Sequence, residues 1–445
     1  MTTTTSRYLE GNFAPVPDEI TALDLEVTGR LPRELAGRFL RIGPNPVAPV
    51  DPARYHWFTG TGMVHGVRLH DGRAEWYRNR YVRDDNVVAA LGGPPVPGPT
   101  HGMSTTVNTN VIGHAGRTFA LVEAGAVPVE LSDELETIRR TDFDGTLDGG
   151  FTAHPHRHPG TGELHAITYH WAWDHLRHVV VGTDGRVRRS VPIPVEGGPM
   201  VHDCAITETR VLLFDLPVTF RLDRAMGGEP FPYVWDPDRP ARVGVLPLDG
   251  GPADVRWCEV EPCYVFHPLN AYDLDDGRVV VDVVRHATVF ATDLLGPNEG
   301  APTLDRWTLD PATGRTTEAR LDDRGQEFPR LDERRTGRRH RFGYGAAFGD
   351  GVEHGPALKH DLDRGTTEVH HYGPGRATLE PVFVPRSADA AEDEGWVMSY
   401  VYDATEDRSD VVVLDAQDFE GEPVAVIHLP RRVPFGFHGN WVPDA

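Results

Sequence analysis

Five of the chain's 22 histidines fall between residues 150 and 170, in GFTAHPHRHPGTGELHAITYH. Imidazole is the commonest protein ligand for a transition metal, so the first question is whether any of these rings holds one. Four histidines in the chain sit in strand-like, apolar or Gly/Pro-marked surroundings: His154 in FTAHPH, His202 in MVHDCAI, His267 in CYVFHPLNAYD and His438 in VPFGFHGNW. They are separated by 48, 65 and 171 residues, and no HExxH, CxxC or facial-triad spacing joins any two of them. Taken singly, each reads more readily as a buried, hydrogen-bonded histidine than as a ligand. They can share a metal only if the fold carries distant strands to one point.

The turns along the chain describe such a fold. GVRLHDGRAEWYRNRYV sets Asp71-Gly72 between two alternating strands, and Asp184-Gly185 and Asp276-Gly277 repeat the arrangement. Gly162 and Gly314 mark longer loops of the same kind. Asp-Gly tolerates the left-handed turn conformations that match the twist of paired strands. The hairpins run from residue 64 to 429, and 47 glycines and 38 prolines punctuate them without any linker-like tract. A long all-β chain of this kind fits radially repeated four-stranded sheets, a β-propeller, with residues 1–445 as one domain. A blade of about 60 residues gives six or seven blades. Only short helices are expected, after Ser132 (DELETI) and over 221–226. In a propeller the innermost strands all face the central axis, where remote residues converge.

Composition excludes several classes. Against 44 Lys+Arg stand 67 Asp+Glu, a net charge of −23, which argues against nucleic acid and against electrostatic docking on anionic lipid. Three cysteines, Cys204, Cys258 and Cys263, cannot build a disulfide framework. MTTTTSRYLE lacks the basic-then-apolar pattern of a signal peptide, and no run of eighteen apolar residues occurs. A cytoplasmic protein is expected.

The segments around the four histidines add a resemblance. GRFLRIGPNP, HWFTGTGMVHG, NTNVIGHAGRTFALVEAG, DFDGTLDGGFTAHPHRHPGTGEL, MVHDCAIT, CYVFHPLNAYD, EFPRLDER and VPFGFHGNW together resemble the carotenoid cleavage oxygenase family, from about residue 7 to 442. The resemblance implies a seven-bladed propeller under a cap of loops and short helices. It implies Fe(II) on His154, His202, His267 and His438, with molecular oxygen as co-substrate. Outer glutamates are implied at Glu123, Glu327 and Glu380, serving His202, His267 and His438, with no carboxylate for His154. His156 and His158 are expected to face solvent, and His165 and His170 to be plain strand or loop residues. The implied reaction is oxidative cleavage of a conjugated C=C bond of a carotenoid or apocarotenoid into two carbonyl products. Such chemistry asks the protein to position one double bond and keep water out.

Aromatic residues near the motifs are candidates for the substrate tunnel: Phe58 first, then Phe266, Trp57, Trp171, Trp173, Phe435 and Phe437. Stilbene-cleaving relatives carry a lysine just before the first outer glutamate and a tyrosine from the preceding segment. Here the lysine's place is held by Val122, and LGGPPVPGPTHGMSTTV has no tyrosine, which favours an apolar polyene over a phenolic stilbene. Cys204 follows the His-Asp pair and reads as a buried, inert thiol. A polyene dwells in membranes, so a peripheral apolar contact is expected, with residues 215–235 as candidate through Leu216, Val218, Phe220, Leu222, Met226, Phe231, Tyr233 and Trp235. The alternative for that segment is a cap packed on the propeller. Two other functions fit less of the sequence: a zinc hydrolase on three of the histidines lacks a general base, and a non-enzymatic binding platform leaves the glutamates without a role.

Overall fold

The computed structural model describes residues 6–102, 104–297, 299–348 and 354–444. Among these, seven antiparallel sheets of four to six strands stand as the blades of a propeller, with a separate two-stranded ribbon. The sequence explains the gradient across each blade. The strands Tyr264–Asp273 and Val279–His286 are almost wholly buried, as strands covered on both faces must be. The outermost strand of that blade, Arg315–Asp322, is RTTEARLD and meets water along much of its length.

The ring is closed by exchanged strands. Gly439–Pro443 pairs with Gly37–Pro44 and becomes the innermost strand of a blade built otherwise from the early chain. Thr21–Leu23 adds the outer edge of that same blade. Val27–Gly29 adds the outer edge of the neighbouring one, beside Ala425–His428. Residues from both sides of the sequence thus clasp the ring.

Asp71 and Gly72 turn the chain between Gly62–His70 and Arg73–Tyr81 with φ of 46° and 72°, the left-handed pair that a two-residue hairpin requires. The helix expected after Ser132 does not form. Ser132 Oγ instead accepts hydrogen bonds from the backbone N–H of Glu134 and Glu136, and Thr137–Arg140 pairs with Val129–Leu131 as a strand. A serine that satisfies nearby backbone donors favours a turn, and β-branched Thr137 and Ile138 favour the strand beyond it. The second expected helix is present as Leu222–Met226, beside the ribbon Val218–Phe220/Tyr233–Trp235. No helix among the described residues is long and apolar enough to cross a membrane.

Candidate metal centre

Each of the four histidines stands at or near the start of an innermost strand, on four different blades. His154 precedes His156–Arg157, His202 precedes Cys204–Ile206, His267 lies within Tyr264–Asp273, and His438 precedes Gly439–Pro443. Two are followed by proline, Pro155 and Pro268, which holds the histidine backbone extended and removes a ladder N–H. The Pro268 position also interrupts the pairing of its strand with Val279–His286, so the local register shifts beside His267. Bulges of this kind re-aim side chains.

The convergence is close: one nitrogen from each of the four rings lies within 4.8 Å of the others. His202 Nε2 and His267 Nε2 are 3.2 Å apart. Two nitrogens bound at about 2.1 Å to one metal, a right angle apart, stand about 3.0 Å from each other. All four rings are nine-tenths buried or more, and His154 Nε2 has no hydrogen-bond partner there. Burial first, and then the other three rings, hold His154 well below its ordinary pKa. Burial pushes His438 down to about 4 although Glu380 opposes it. A buried nitrogen with no protein partner, among three other converging imidazoles, is a donor set for a divalent transition metal.

The opposite ring nitrogens meet carboxylates. His267 Nδ1 is 2.6 Å from Glu327 Oε2, and His438 Nδ1 is 2.9 Å from Glu380 Oε1. His202 Nδ1 is 2.9 Å from Glu123 Oε2, out of line for a full hydrogen bond. These contacts fix ring orientation and leave Nε2 for the metal. Glu327 carries more than expected: its Oε1 takes His286 Nε2 at 2.9 Å, and its Oε2 accepts the Phe328 N–H at 2.5 Å. Phe328 adopts φ of 54° and stacks on His267 with ring centroids 5.5 Å apart, a strained bulge that turns glutamate and ring onto one imidazole. Glu380 accepts the Gly439 N–H at 2.7 Å and sits 3.2 Å from Arg330 Nη1. Burial alone would raise both carboxyls; His267 and His286 hold Glu327 far below its usual range, and Arg330 and His438 hold Glu380 at about 2.

The surroundings of His154 differ from expectation. Asp203 Oδ2 lies 3.6 Å from its Nδ1, too far for a direct bond but a carboxylate nonetheless. Asp203 Oδ1 is held at 2.8 Å by His156 Nε2, so His156 is partnered and three-quarters buried, not turned to solvent. His158 is buried too: its Nε2 meets the Glu208 carbonyl and its Nδ1 accepts from Gly160 and Thr161, which organises the turn. His165 lies on the strand Leu164–Thr168 and shares a 3.1 Å bond with His178, and His170 lies in a loop. Cys204 is buried and its thiol is pushed well above its ordinary pKa by desolvation.

On one side the histidines open into an apolar cavity of about 170 Å³. Phe58, Val122, Phe266, Trp57 and Phe437 lie on its wall, joined by Phe231 and Phe328. Phe58 is its hub, edge-on to Phe231, Phe266, Phe290 and Phe437 at 5.5 to 6.2 Å. Three of the aromatic candidates are elsewhere. Trp171 stacks on Phe220, Trp173 lies between His175 and Arg177, and Phe435 packs between Phe13 and His354. The cavity is not free of hydroxyls: Tyr169 and Tyr233, neither of them among the tunnel candidates, lie on the wall with Glu123. In residues 215–235, Leu216, Val218 and Tyr233 are buried and face no lipid, whereas Leu222 and Met226 are 56% and 81% exposed.

Known proteins match along nearly the whole chain. Residues 13–443 match the family described as retinal pigment epithelial membrane protein. A protein of Mycobacterium tuberculosis named carotenoid cleavage oxygenase is 48% identical, over 98% of this chain and 97% of its own. The carotenoid 9,10(9',10')-cleavage dioxygenase 1 of Arabidopsis thaliana is 33% identical over 98% of this chain and 90% of its own. The crystal structure of Pseudomonas brassicacearum lignostilbene dioxygenase superposes with a TM-score of 0.90 at 30% identity, covering 99% of both chains. Cobalt-substituted Synechocystis ACO, an apocarotenoid oxygenase, superposes with 0.86 at 27% identity, covering 97% of both. Sequence, propeller and converging histidines agree that the chain belongs to the carotenoid cleavage oxygenase family.

Proposed function

We propose that the protein holds Fe(II) on His154, His202, His267 and His438 and cleaves a conjugated C=C bond of a carotenoid or apocarotenoid, R–CH=CH–R′ + O₂ giving RCHO and R′CHO. The observation that carries this reading is that three of the four converging imidazoles, His202, His267 and His438, open directly into an apolar cavity. The bound metal would supply activation of dioxygen. The chain does the rest. Glu123, Glu327 and Glu380 hold three rings in one tautomer, and Phe58 and Phe266 lay the polyene against the imidazoles. The aromatic wall keeps bulk water from the reacting carbons. One propeller unit, residues 1–445, carries the whole activity.

Val122 on the cavity wall supports a polyene, because a half-buried valine offers a phenol no partner and leaves a hydrocarbon no penalty. Stilbene cleavage at the same centre is the second reading, favoured by the lignostilbene dioxygenase neighbour and by the hydroxyls of Tyr169 and Tyr233. Exposed Leu222 and Met226 are the points of peripheral membrane contact for a cytoplasmic enzyme collecting a lipid-dissolved substrate. The test is anaerobic reconstitution with Fe(II), then air with β-carotene, an apocarotenal and resveratrol side by side. Products are read by mass, and metal content is measured for wild type and His267→Ala. Aldehydes from the polyenes, lost with the metal in His267→Ala, support the reading. Cleavage of resveratrol alone moves the enzyme to the stilbene branch, and no metal uptake by the wild type refutes the centre.

A further inference from the structure

The four histidines have a second face. Opposite the aromatic cavity, a channel of about 870 Å³ reaches their underside, with His154, His267, His438 and Glu380 on its wall. Its lining is mixed, about half polar, where the cavity's is almost wholly apolar. Asn110, Asn270, Asn440, Arg157, Arg330 and Glu333 line it, drawn from the innermost strands and connections of several blades. The arginines are engaged: Arg330 with Glu380, Glu333 and Asn440, and Arg157 with the carbonyls of Gly113 and Gly162 and with His114. At its inner end lie His156 and Asp203, which with Cys204 form the second group of ligand-type atoms within 4.8 Å of one another. Asp203 bridges outward and inward, with Oδ1 2.8 Å from His156 Nε2 and Oδ2 3.6 Å from His154 Nδ1.

A hydrated divalent cation cannot shed its water cheaply in a cavity walled by phenylalanine. In a channel of amides and carboxylates it can keep much of that water, and a carboxylate–imidazole pair can replace the remainder stepwise. We propose that the axial channel is the route by which the metal reaches and leaves the four histidines, and that His156 and Asp203 form a transfer site at its inner end. The proposal rests on the four-histidine centre argued above. The transfer site takes a divalent first-row metal through one imidazole nitrogen and one carboxylate. Exchange at Asp203 passes the ion to the unpartnered His154 Nε2 and its three neighbours. Substrate and metal then enter from opposite faces, and neither obstructs the other.

The experiment uses metal-free full-length protein mixed anaerobically with Co(II), whose visible absorption follows occupancy, and repeated with Fe(II) read by atomic analysis. Uptake rate, final stoichiometry and release to EDTA are measured for wild type, Asp203→Asn and His156→Phe, with circular dichroism confirming the fold. A transfer site predicts uptake and release slowed together, tenfold or more, with their ratio within about threefold of wild type. Saturating apocarotenal in the apolar cavity leaves the uptake rate unchanged. Unchanged rates in both variants overturn the proposal. So does a weakened final affinity at normal uptake rate, which would make Asp203 and His156 only a support for His154. Blockage of uptake by the apocarotenal overturns it as well, by placing the route through the cavity. If wild type itself takes up no metal, the failure lies with the four-histidine centre and not with the channel.

Discussion

Glu380 and Glu123 do the same work for their histidines but are built into the protein differently, and Glu380→Gln should reveal it. Glu380 is 2% exposed, accepts from His438 and Gly439, and faces the Arg330 guanidinium. Its displacement from the ordinary 4.5 to about 2 corresponds to roughly 3 kcal/mol of preference for the charged form. Glutamine loses that charge and leaves Arg330 only the exposed Glu333 as a carboxylate partner, a change that costs about 3 kcal/mol, the low end for removing one member of a buried pair. Glu123 has its 2.9 Å contact with His202 and no arginine contact among the described residues. Glu123→Gln should therefore cost no more than about 1 kcal/mol, since its His202 contact falls short of one full hydrogen bond. Both substitutions should weaken metal binding by about 10–100-fold, since each unseats a ligand's partner. Chemical denaturation of the metal-free proteins separates the two effects, and metal titration measures the second. Arg330→Met combined with Glu380→Gln should recover part of the lost stability. Equal destabilisation by the two glutamine substitutions, or less than about 1 kcal/mol for Glu380→Gln, would refute the claim that arginine bracing holds the fourth ligand's carboxylate.

The same group sets an acid limit. Because the folded pKa of Glu380 is lowered, its stabilisation is complete above about 4.5 and is lost as pH falls towards 2, and a thermal melt series from pH 6 to 3 should be flatter in Glu380→Gln. Lys359 is the chain's only lysine and is 3% exposed, bound to the Ala416 carbonyl and 3.2 Å from Asp393. An amine-reactive reagent should leave it unmodified in the folded protein and modify it after denaturation, and peptide mass mapping decides between them. Leu222→Glu with Met226→Glu should reduce vesicle sedimentation several-fold while leaving turnover of a detergent-dispersed apocarotenal unchanged; equal vesicle binding would remove these residues from the membrane contact. Val122→Lys places a cation in the cavity and should lower the polyene-to-resveratrol activity ratio by tenfold or more, compared by product mass.

The propeller is legible because turn chemistry is local, and the family, which implies seven blades, because the motifs are long. Asp71-Gly72 needs nothing beyond itself to make a hairpin. The four histidines could be nominated from their flanks, but convergence across four blades is a property of the ring. What the residues did not disclose is partnership between strands distant in sequence. His286 sits in VVRHATVF and could have been suspected as a polar ring in an apolar strand, yet its bond to Glu327 depends on the neighbouring blade. His156 and His158 are covered rather than solvent-facing, because a family's tolerance of other polar residues in a turn says nothing of what packs over it. Asp203, adjacent in sequence to a ligand, carried a signal in VHDCA that was available and unused. The aromatic candidates divide the same way: Phe58 reaches the cavity, while Trp171 and Trp173 stack among cap and surface groups.

The exchanged strand Gly439–Pro443 has a consequence beyond geometry. It pairs with Gly37–Pro44 at the seam of the ring, and the histidine immediately before it is the fourth of the converging set. An ion gripped by His438 together with three rings from other blades would act as a rivet through that seam. Parting the seam would pull out the rivet, and a tightly held rivet would keep the seam shut. Ring opening and metal loss are then one event seen from two sides, each suppressed by whatever suppresses the other.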